Sequence, residues 1–326
     1  MRRARIKIER EEAVYHCMTR TVNGERIIDD VGKEVLRKQL WQISDYCGVQ
    51  VITYTILSNH FHVLVRVPQK QPVPDAELLR RYSVLYPKPT RFQTTRLEVI
   101  QAQLETNGPE ALAWRKGQEA LMSDVSQFMK LLKQRFAIWF NKTHKRFGTL
   151  WAERFKSVLV EPGGRVIETM AAYIDLNCVR AGLARDPKEY RFCGYSEAVA
   201  GRISARNGLL YLFGSQAWND AQSAYRQVLF GTGAEGDETA AGIALEEFRR
   251  VIDEGGKLPL STVLRCRIRY FSDGAVLGSK AFVGAQMAGY RKTLRRRSTC
   301  SPRPLPAITD WGDLTTLRGL RRQAFG

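Results

Sequence analysis

The segment Asn59-His60-Phe61-His62 is the feature of this chain that most directly suggests metal chemistry. His60 and His62 are two of only four histidines in 326 residues, and a single residue separates them. Because successive side chains of a strand point to opposite faces, a strand here places both imidazoles on one face, about 7 Å apart, with Phe61 on the other. Two imidazoles in this arrangement can hold one metal ion. The pair alone is equally compatible with two strand-edge histidines that bind no ligand.

The elements expected to position this pair form an α+β domain. Val63, Val65 and Val67 continue the face of Phe61 and would anchor the strand in an apolar core. These elements make a small antiparallel sheet packed against helices. The spacing of apolar residues predicts further strands over 13–21, 49–54 and 154–160, and helices over 33–47, 124–141 and 166–181.

The composition indicates a globular protein with a polyanionic partner. Hydrophobic residues make up 44% of the chain and charged residues 26%, which argues against a disordered protein. A formal net charge of +18 favours nucleic acid as the partner. No run of about 18 apolar residues is present, and the basic start lacks the apolar core of a signal peptide. We therefore expect a cytoplasmic protein that has no membrane partner.

The length of the chain is typical of about two domains. Residues 1–200 carry the predicted sheet and helices, interrupted over 68–120 by a proline-containing insertion with one predicted polar helix around 97–104. Residues 201–326 form a basic extension that is predicted to be mostly helical and is a candidate second DNA-binding module. In this extension a glycine-rich linker over 231–236 precedes a predicted helix over 239–253. The basic residues of its tail are Arg265, Arg267, Arg269, Arg291, Lys292, Arg295, Arg296 and Arg297.

The helix predicted over 166–181 carries a second candidate set. Tyr173 and Asn177 are four residues apart, so both side chains would lie on one helix face, about 6 Å apart at Cβ. A lone tyrosine on a helix is usually a packing residue. However, the sequence Tyr-Ile-Asp-Leu-Asn-Cys-Val-Arg-Ala-Gly at 173–182 resembles the Tyr-Ile-x-x-Asn-Pro-Val-Arg-Ala-Gly signature of the REP-associated tyrosine transposases, with Cys178 in place of proline.

Three further motifs extend this resemblance in the order that the family has them. The His-Phe-His segment at 60–62 resembles the His-hydrophobic-His motif of the HUH endonucleases, the superfamily that contains these transposases. The Tyr-His pair at 15–16 followed by Arg20, and Gly-Thr-Leu-Trp-x-x-Arg-Phe-Lys at 148–156, also agree. The resemblance covers roughly residues 13–200.

The resemblance implies a chemistry and a set of site residues. It implies an HUH, ferredoxin-like transposase core in which Tyr173 is the nucleophile and His60, His62 and Asn177 hold a divalent metal, Mg²⁺ or Mn²⁺. Cleavage would give a 5′-phosphotyrosine and a free 3′-hydroxyl on single-stranded DNA that bears a hairpin of the repetitive palindromic type. The protein would act in the bacterial nucleoid as a monomer or homodimer. The candidate DNA contacts are Arg20, Arg154, Lys156 and Arg180.

Three other functions are compatible with the same residues. The first is a domesticated DNA-binding protein that has kept the fold and lost transposition. The second is a metal-dependent nuclease in which water, rather than Tyr173, attacks the phosphate. The third is an RNA-binding regulator whose histidines take no part in catalysis. Trapping of a covalent adduct separates the first two from a transposase, and a preference for DNA over RNA separates the third.

Overall fold

The fold is an α+β arrangement built on one seven-stranded sheet with the strand order β2-β3-β1-β4-β5-β7-β6. The computed structural model describes residues 6–8, 10–89, 95–231, 257–265, 267–294, 302–305, 307 and 309–317. The strands are β1 (Ala13–Arg20), β2 (Gln50–Ile56), β3 (His60–Val67), β4 (Lys156–Val160), β5 (Val276–Ser279), β6 (Arg303–Pro304) and β7 (Leu314–Thr316).

The two longest helices begin at acidic N-caps. Asp29 accepts a hydrogen bond from the Gly32 N–H at the start of α1, and Asp124 accepts from the Ser126 and Gln127 N–H groups at the start of α5. The helices are α1 (Asp30–Cys47), α2 (Asp75–Leu85), α3 (Leu97–Thr106), α4 (Pro109–Glu119), α5 (Val125–Thr143), α6 (Gly164–Asp175), α7 (Asn177–Arg180), α8 (Gly194–Val199), α9 (Ile203–Phe213), α10 (Trp218–Phe230), α11 (Leu260–Leu264), α12 (Arg269–Asp273) and α13 (Lys280–Leu294).

The register of the central strands puts the histidines on one face of the sheet. Strands β2, β3, β1 and β4 are antiparallel neighbours, and Met18 on β1 pairs with His62 while Arg20 pairs with His60. Because directly paired residues share a face and side chains alternate along a strand, His16 also lies on this face. The predicted strand with both histidines on one face is therefore confirmed.

The opposite face of the sheet forms the main core. Phe61 points to this face and lies 5.8 Å from the Trp151 ring, which in turn lies 5.7 Å from the Phe136 ring of α5. Val63 and Val65 are fully buried on the same side. Phe61, Val63 and Val65 thus anchor the histidine strand in the core, as their alternation in the sequence predicts.

The extension continues the same sheet. Strand β5 pairs in parallel with β4 and antiparallel with β7, which pairs with β6. The predicted antiparallel core packed against helices is confirmed, and the described part of the extension is mostly helical. Its three strands were not predicted because they are only two to four residues long, too short for an alternating pattern to be recognised. The division of the chain at residue 200 stays a prediction.

The insertion over 68–120 is more regular than predicted, because it contains α2 and α4 as well as the predicted helix, α3. It is attached to α1 by polar contacts. The Tyr46 hydroxyl donates to Gln118 Oε1 on α4 at 2.7 Å, and Arg80 on α2 forms an ion pair with Asp45 at 2.7 Å.

Parts of the predicted extension lie outside the described residues. These are the linker beyond residue 231, the predicted helix over 239–253 and the arginines at 295–297. In the part of the chain that the structure does describe, no helix is long and apolar enough to cross a membrane.

Candidate active site

Buried hydrogen bonds fix α6 against the histidine face of the sheet. The hydroxyl of Thr53 on β2 donates to Asp175 Oδ1 at 2.8 Å, and that of Thr55 donates to the Ile174 carbonyl at 2.8 Å. The Tyr225 hydroxyl donates to Asp175 Oδ2 at 2.5 Å from the other side. Because Asp175 is fully buried and these bonds hold it from two directions, the end of α6 has little freedom to move relative to β2.

This docking brings Tyr173 beside the histidines. Its ring centroid lies 6.3 Å from that of His62 and 6.4 Å from that of His16. The guanidinium carbon of Arg180 lies 4.1 Å from the centre of the tyrosine ring. Tyr173 is only 2% exposed, so the candidate nucleophile is enclosed.

Asn177 also reaches the histidine pair, although the helix is not continuous. The single helix predicted over 166–181 is interrupted at Leu176, after which α7 begins at Asn177. The Asn177 side-chain nitrogen still lies 3.3 Å from His60 Nε2. The structure thus brings Tyr173 and Asn177 together with His60 and His62.

The hydrogen bonds of His60 define its tautomer. Asn59 donates from Nδ2 to the Gly24 carbonyl at 2.9 Å, which orients its Oδ1 toward His60 Nδ1 at 2.6 Å. Because Oδ1 can only accept, His60 Nδ1 carries the proton and Nε2 carries the lone pair. His60 Nε2 therefore accepts the hydrogen bond from Asn177 and is the nitrogen suited to bind a metal.

A third imidazole, which sequence reasoning did not assign to the site, lies behind the pair. His16 Nε2 is 2.8 Å from His62 Nδ1, and His16 Nδ1 is 2.7 Å from the carbonyl oxygen of Phe271. The available signal was the position of His16 on β1, which shares a face with His62 once the two strands pair. The sequence does not specify that register by itself.

The electrostatics of the site favour neutral histidines and an anionic ligand. Burial lowers the pKa of His16 to about 4 and that of His60 to about 3, and it holds the pKa of His62 well below its usual value. The positive charge of Arg180 lowers all three further, and the charges of Arg20 and Arg267 also lower the pKa of His60. Neutral imidazoles are the form that binds metals, and the surrounding arginines suit a phosphate.

Of the predicted DNA contacts, Arg20 and Arg154 are exposed to solvent. Lys156 lies 3.2 Å from an Asp273 carboxylate oxygen. Arg180 donates to the carbonyls of Leu264 and Tyr173, both at 2.7 Å. These last two side chains therefore have protein partners, and contact with DNA would require that they exchange them.

The extension forms one wall of the site. The Phe271 ring of α12 packs edge-on against Tyr173 at 5.0 Å, and Trp311 packs against Phe271 at 5.8 Å. Arg267, named in the sequence only as part of a basic tail, is exposed and close enough to His60 to lower its pKa. Contacts between residues so distant in the chain could not be predicted from local patterns.

The predicted ligands form a neutral set of donors. No group of three or more His, Cys, Asp or Glu side chains in the described ranges is placed to hold a metal. The predicted set instead combines two imidazoles with the amide of Asn177. His60 fits this role because its Nε2 carries a lone pair, and Asn177 would fit once its amide turned to present Oδ1.

One family model matches the part of the chain that carries the histidine motif. Residues 9–82 match the model of a family described as transposase IS200 like, a stretch that contains the histidine strand and ends before Tyr173. The chain is also similar to a solved structure described as the structure of the REP-associated tyrosine transposase bound to a REP hairpin. The identity is 12% and the TM-score 0.40, with 62% of this chain and 87% of that chain covered. No curated protein matches this chain. The family match confirms the predicted resemblance to transposases over residues 9–82.

Proposed function

Because residues 9–82 carry the sequence pattern of IS200-like transposases, we propose that this protein cleaves and rejoins single-stranded DNA through a phosphotyrosine intermediate. The observation that carries the proposal is the position of the Tyr173 ring, 6.3 Å from the His62 ring and 4.1 Å from the guanidinium carbon of Arg180. A neutral histidine pair beside a tyrosine, within a positive field, suits a phosphodiester substrate.

The metal ligands in this proposal are Nε2 of His60, Nε2 of His62 and Oδ1 of Asn177. A bound Mg²⁺ or Mn²⁺ would polarise the scissile phosphate and offset charge in the transition state. The protein itself orients the tyrosine that attacks the phosphate. Arg180 stacks on the Tyr173 ring at 4.1 Å and fixes its orientation.

In the proposed cleavage step the Tyr173 oxygen forms a bond to phosphorus and the bond from phosphorus to the 3′ oxygen breaks. The phenol loses its proton to water and the 3′ oxygen takes a proton from water, so no net proton is released or consumed. The new phosphodiester retains the energy of the one broken, so attack by a 3′-hydroxyl rejoins DNA without ATP.

An exposed aromatic loop supports single-stranded DNA as the substrate. Phe147 is 97% exposed and follows the basic residues Lys145 and Arg146. The loop is attached near the end of β1, where the Val22 N–H donates to the Leu150 carbonyl at 2.9 Å. Exposed aromatic rings among cations stack on unpaired bases while the cations follow the backbone. The proposal takes this DNA to carry a repetitive palindromic hairpin, bound in the cytoplasm by a monomer or homodimer.

Adduct trapping on denaturing gels tests the mechanism. Single-stranded hairpin DNA is labelled at the 5′ or the 3′ end and incubated with Mg²⁺ or Mn²⁺ and either the wild type or Tyr173→Phe, which removes one hydroxyl from a packed ring. We expect a covalent adduct that carries the 3′ label and forms with the wild type alone. Cleavage by Tyr173→Phe without an adduct would instead indicate attack by water. Tighter binding of RNA than of DNA of the same sequence would indicate an RNA-binding regulator.

The burial of Tyr173 favours one second candidate, a DNA-binding protein that does not cleave. The ring is 2% exposed beneath Phe271, so a DNA strand reaches it only if that cover opens. Hairpin binding by the wild type and by Tyr173→Phe with equal affinity, and with no adduct from either, would select this candidate.

A further inference from the structure

We infer that His16 is a positioning residue for the metal site: anchored by the Phe271 carbonyl, it holds His62 in the tautomer that presents Nε2 to the metal. This inference rests on the proposed function, because it assigns a role toward the metal that the proposal places at His60 and His62. It concerns a residue on β1 and a carbonyl on α12, neither of which belongs to the predicted ligand set.

The first step is the hydrogen bond between His16 and the extension. His16 Nδ1 lies 2.7 Å from the Phe271 carbonyl oxygen. A carbonyl oxygen can only accept, so Nδ1 carries a proton. His16 is 1% exposed, and burial disfavours a charged ring, so the imidazole is neutral. A neutral imidazole has one N–H, so His16 Nε2 must be an acceptor.

The second step transfers this constraint to His62. His16 Nε2 lies 2.8 Å from His62 Nδ1, and the two ring planes are inclined by only 20° with their centroids 5.0 Å apart, as expected for two rings that share an in-plane hydrogen bond. Because His16 Nε2 accepts, His62 Nδ1 is the donor and carries the proton of its ring. His62 Nε2 then carries the lone pair, as Nε2 of His60 does through its bond to Asn59. Both histidines are thus set to offer the same nitrogen.

Each imidazole of the pair is therefore oriented by its own partner on the far side of the ring. Such outer partners typically change metal affinity by 10–100-fold when they are removed. Without His16, the neutral ring of His62 could place its proton on Nε2 and lose the ability to bind there. The carbonyl that begins this relay belongs to α12, so the extension takes part in preparing the metal site.

The tautomer of His62 can be measured directly in the metal-free protein. Protein labelled with ¹⁵N only at its four histidines gives long-range ¹H–¹⁵N correlations that distinguish Nδ1–H from Nε2–H rings. We expect His62 and His16 to be Nδ1–H in the wild type. An Nε2–H ring for His62 would overturn the inference, and this measurement needs neither a variant, a metal nor DNA.

Two variants of His16 then separate positioning from packing. His16→Gln keeps an acceptor for His62 and a donor for the Phe271 carbonyl, whereas His16→Leu keeps only the bulk. We expect His16→Leu to lose the fixed tautomer and to bind Mn²⁺ 10–100-fold more weakly by titration calorimetry. His16→Gln should stay within about threefold of the wild type. Equal Mn²⁺ affinity for His16→Leu and the wild type would overturn the inference.

These readouts also distinguish the inference from the proposed function. A wild type that shows the expected tautomer and Mn²⁺ affinity but forms no DNA adduct would remove the cleavage proposal and leave the role of His16 standing. A wild type that forms the adduct but has His62 as Nε2–H would remove the inference alone.

Discussion

Asp175 provides a quantitative test of how α6 is held against the sheet. Burial raises the pKa of this carboxyl to about 7, although hydrogen bonds from Tyr225, Thr53 and the Tyr195 backbone act in the opposite direction. An unfolded chain returns it to 3.8. Between these two values the folded protein holds a proton that the unfolded chain has lost. The stabilising contribution is therefore complete below about pH 4 and is lost as the pH rises through about 7.

The size of the effect follows from these two values. With folded and unfolded pKa values of about 7 and 3.8, the carboxyl contributes about 2.7 kcal/mol to the free energy of unfolding at pH 5 and about 0.1 kcal/mol at pH 8. Asp175→Asn removes this titration. We therefore measure the free energy of unfolding of both proteins by urea at each pH. As the pH rises from 5 to 8, the value for Asp175→Asn should increase by about 2–3 kcal/mol relative to that of the wild type.

The comparison between variants cancels the other titrations. His16 and His60 have lowered pKa values of about 4 and 3, so their contribution to the free energy of unfolding decreases as the pH falls. This decrease is the same in Asp175→Asn and in the wild type. A matched control is Tyr225→Phe, which removes one donor to the carboxylate and should move the transition of the wild-type curve to higher pH. A difference between Asp175→Asn and the wild type that is constant from pH 5 to pH 8 would refute the reasoning.

Three further predictions concern the loop, the start of α6 and the extension. Phe147→Ala should weaken binding of single-stranded DNA by about 1–3 kcal/mol in a fluorescence titration while Phe147→Trp retains it, and equal affinities would rule out stacking. Gly163→Ala should lower the free energy of unfolding by about 1–3 kcal/mol, because Gly163 has φ 90° and ψ 162°. The matched Gly164→Ala, at φ 60°, should cost less, and a reversed order in urea unfolding would contradict this account. Arg267→Gln should reduce the salt dependence of DNA affinity by about one unit of log–log slope, and an unchanged slope would place Arg267 outside the DNA interface.

Local patterns accounted for the elements of the antiparallel core and for part of the candidate site. The alternation around His62 and the helical spacing around Tyr173 reflect the repeat of a strand and of a helix, so the sequence reports them directly. Local patterns cannot report the strand register that brings His16 to His62, nor the folding of Phe271 over the tyrosine. The interruption at Leu176 was missed because every residue around it has helical spacing and only the backbone changes there. Strand β5 was missed because four residues give too few alternations.

The hydrogen bond from His16 to the Phe271 carbonyl spans 255 residues of sequence and so has a consequence for synthesis on the ribosome. At about 5–20 residues per second, roughly 13–50 s pass between the synthesis of His16 and that of Phe271. Strands β1 to β3 can pair during that time, but the histidine relay cannot be completed. A polypeptide that ends early therefore carries the histidine strand without the carbonyl that fixes His16. The positioning of His62 that we infer is thereby delayed until the chain has been synthesised beyond residue 271.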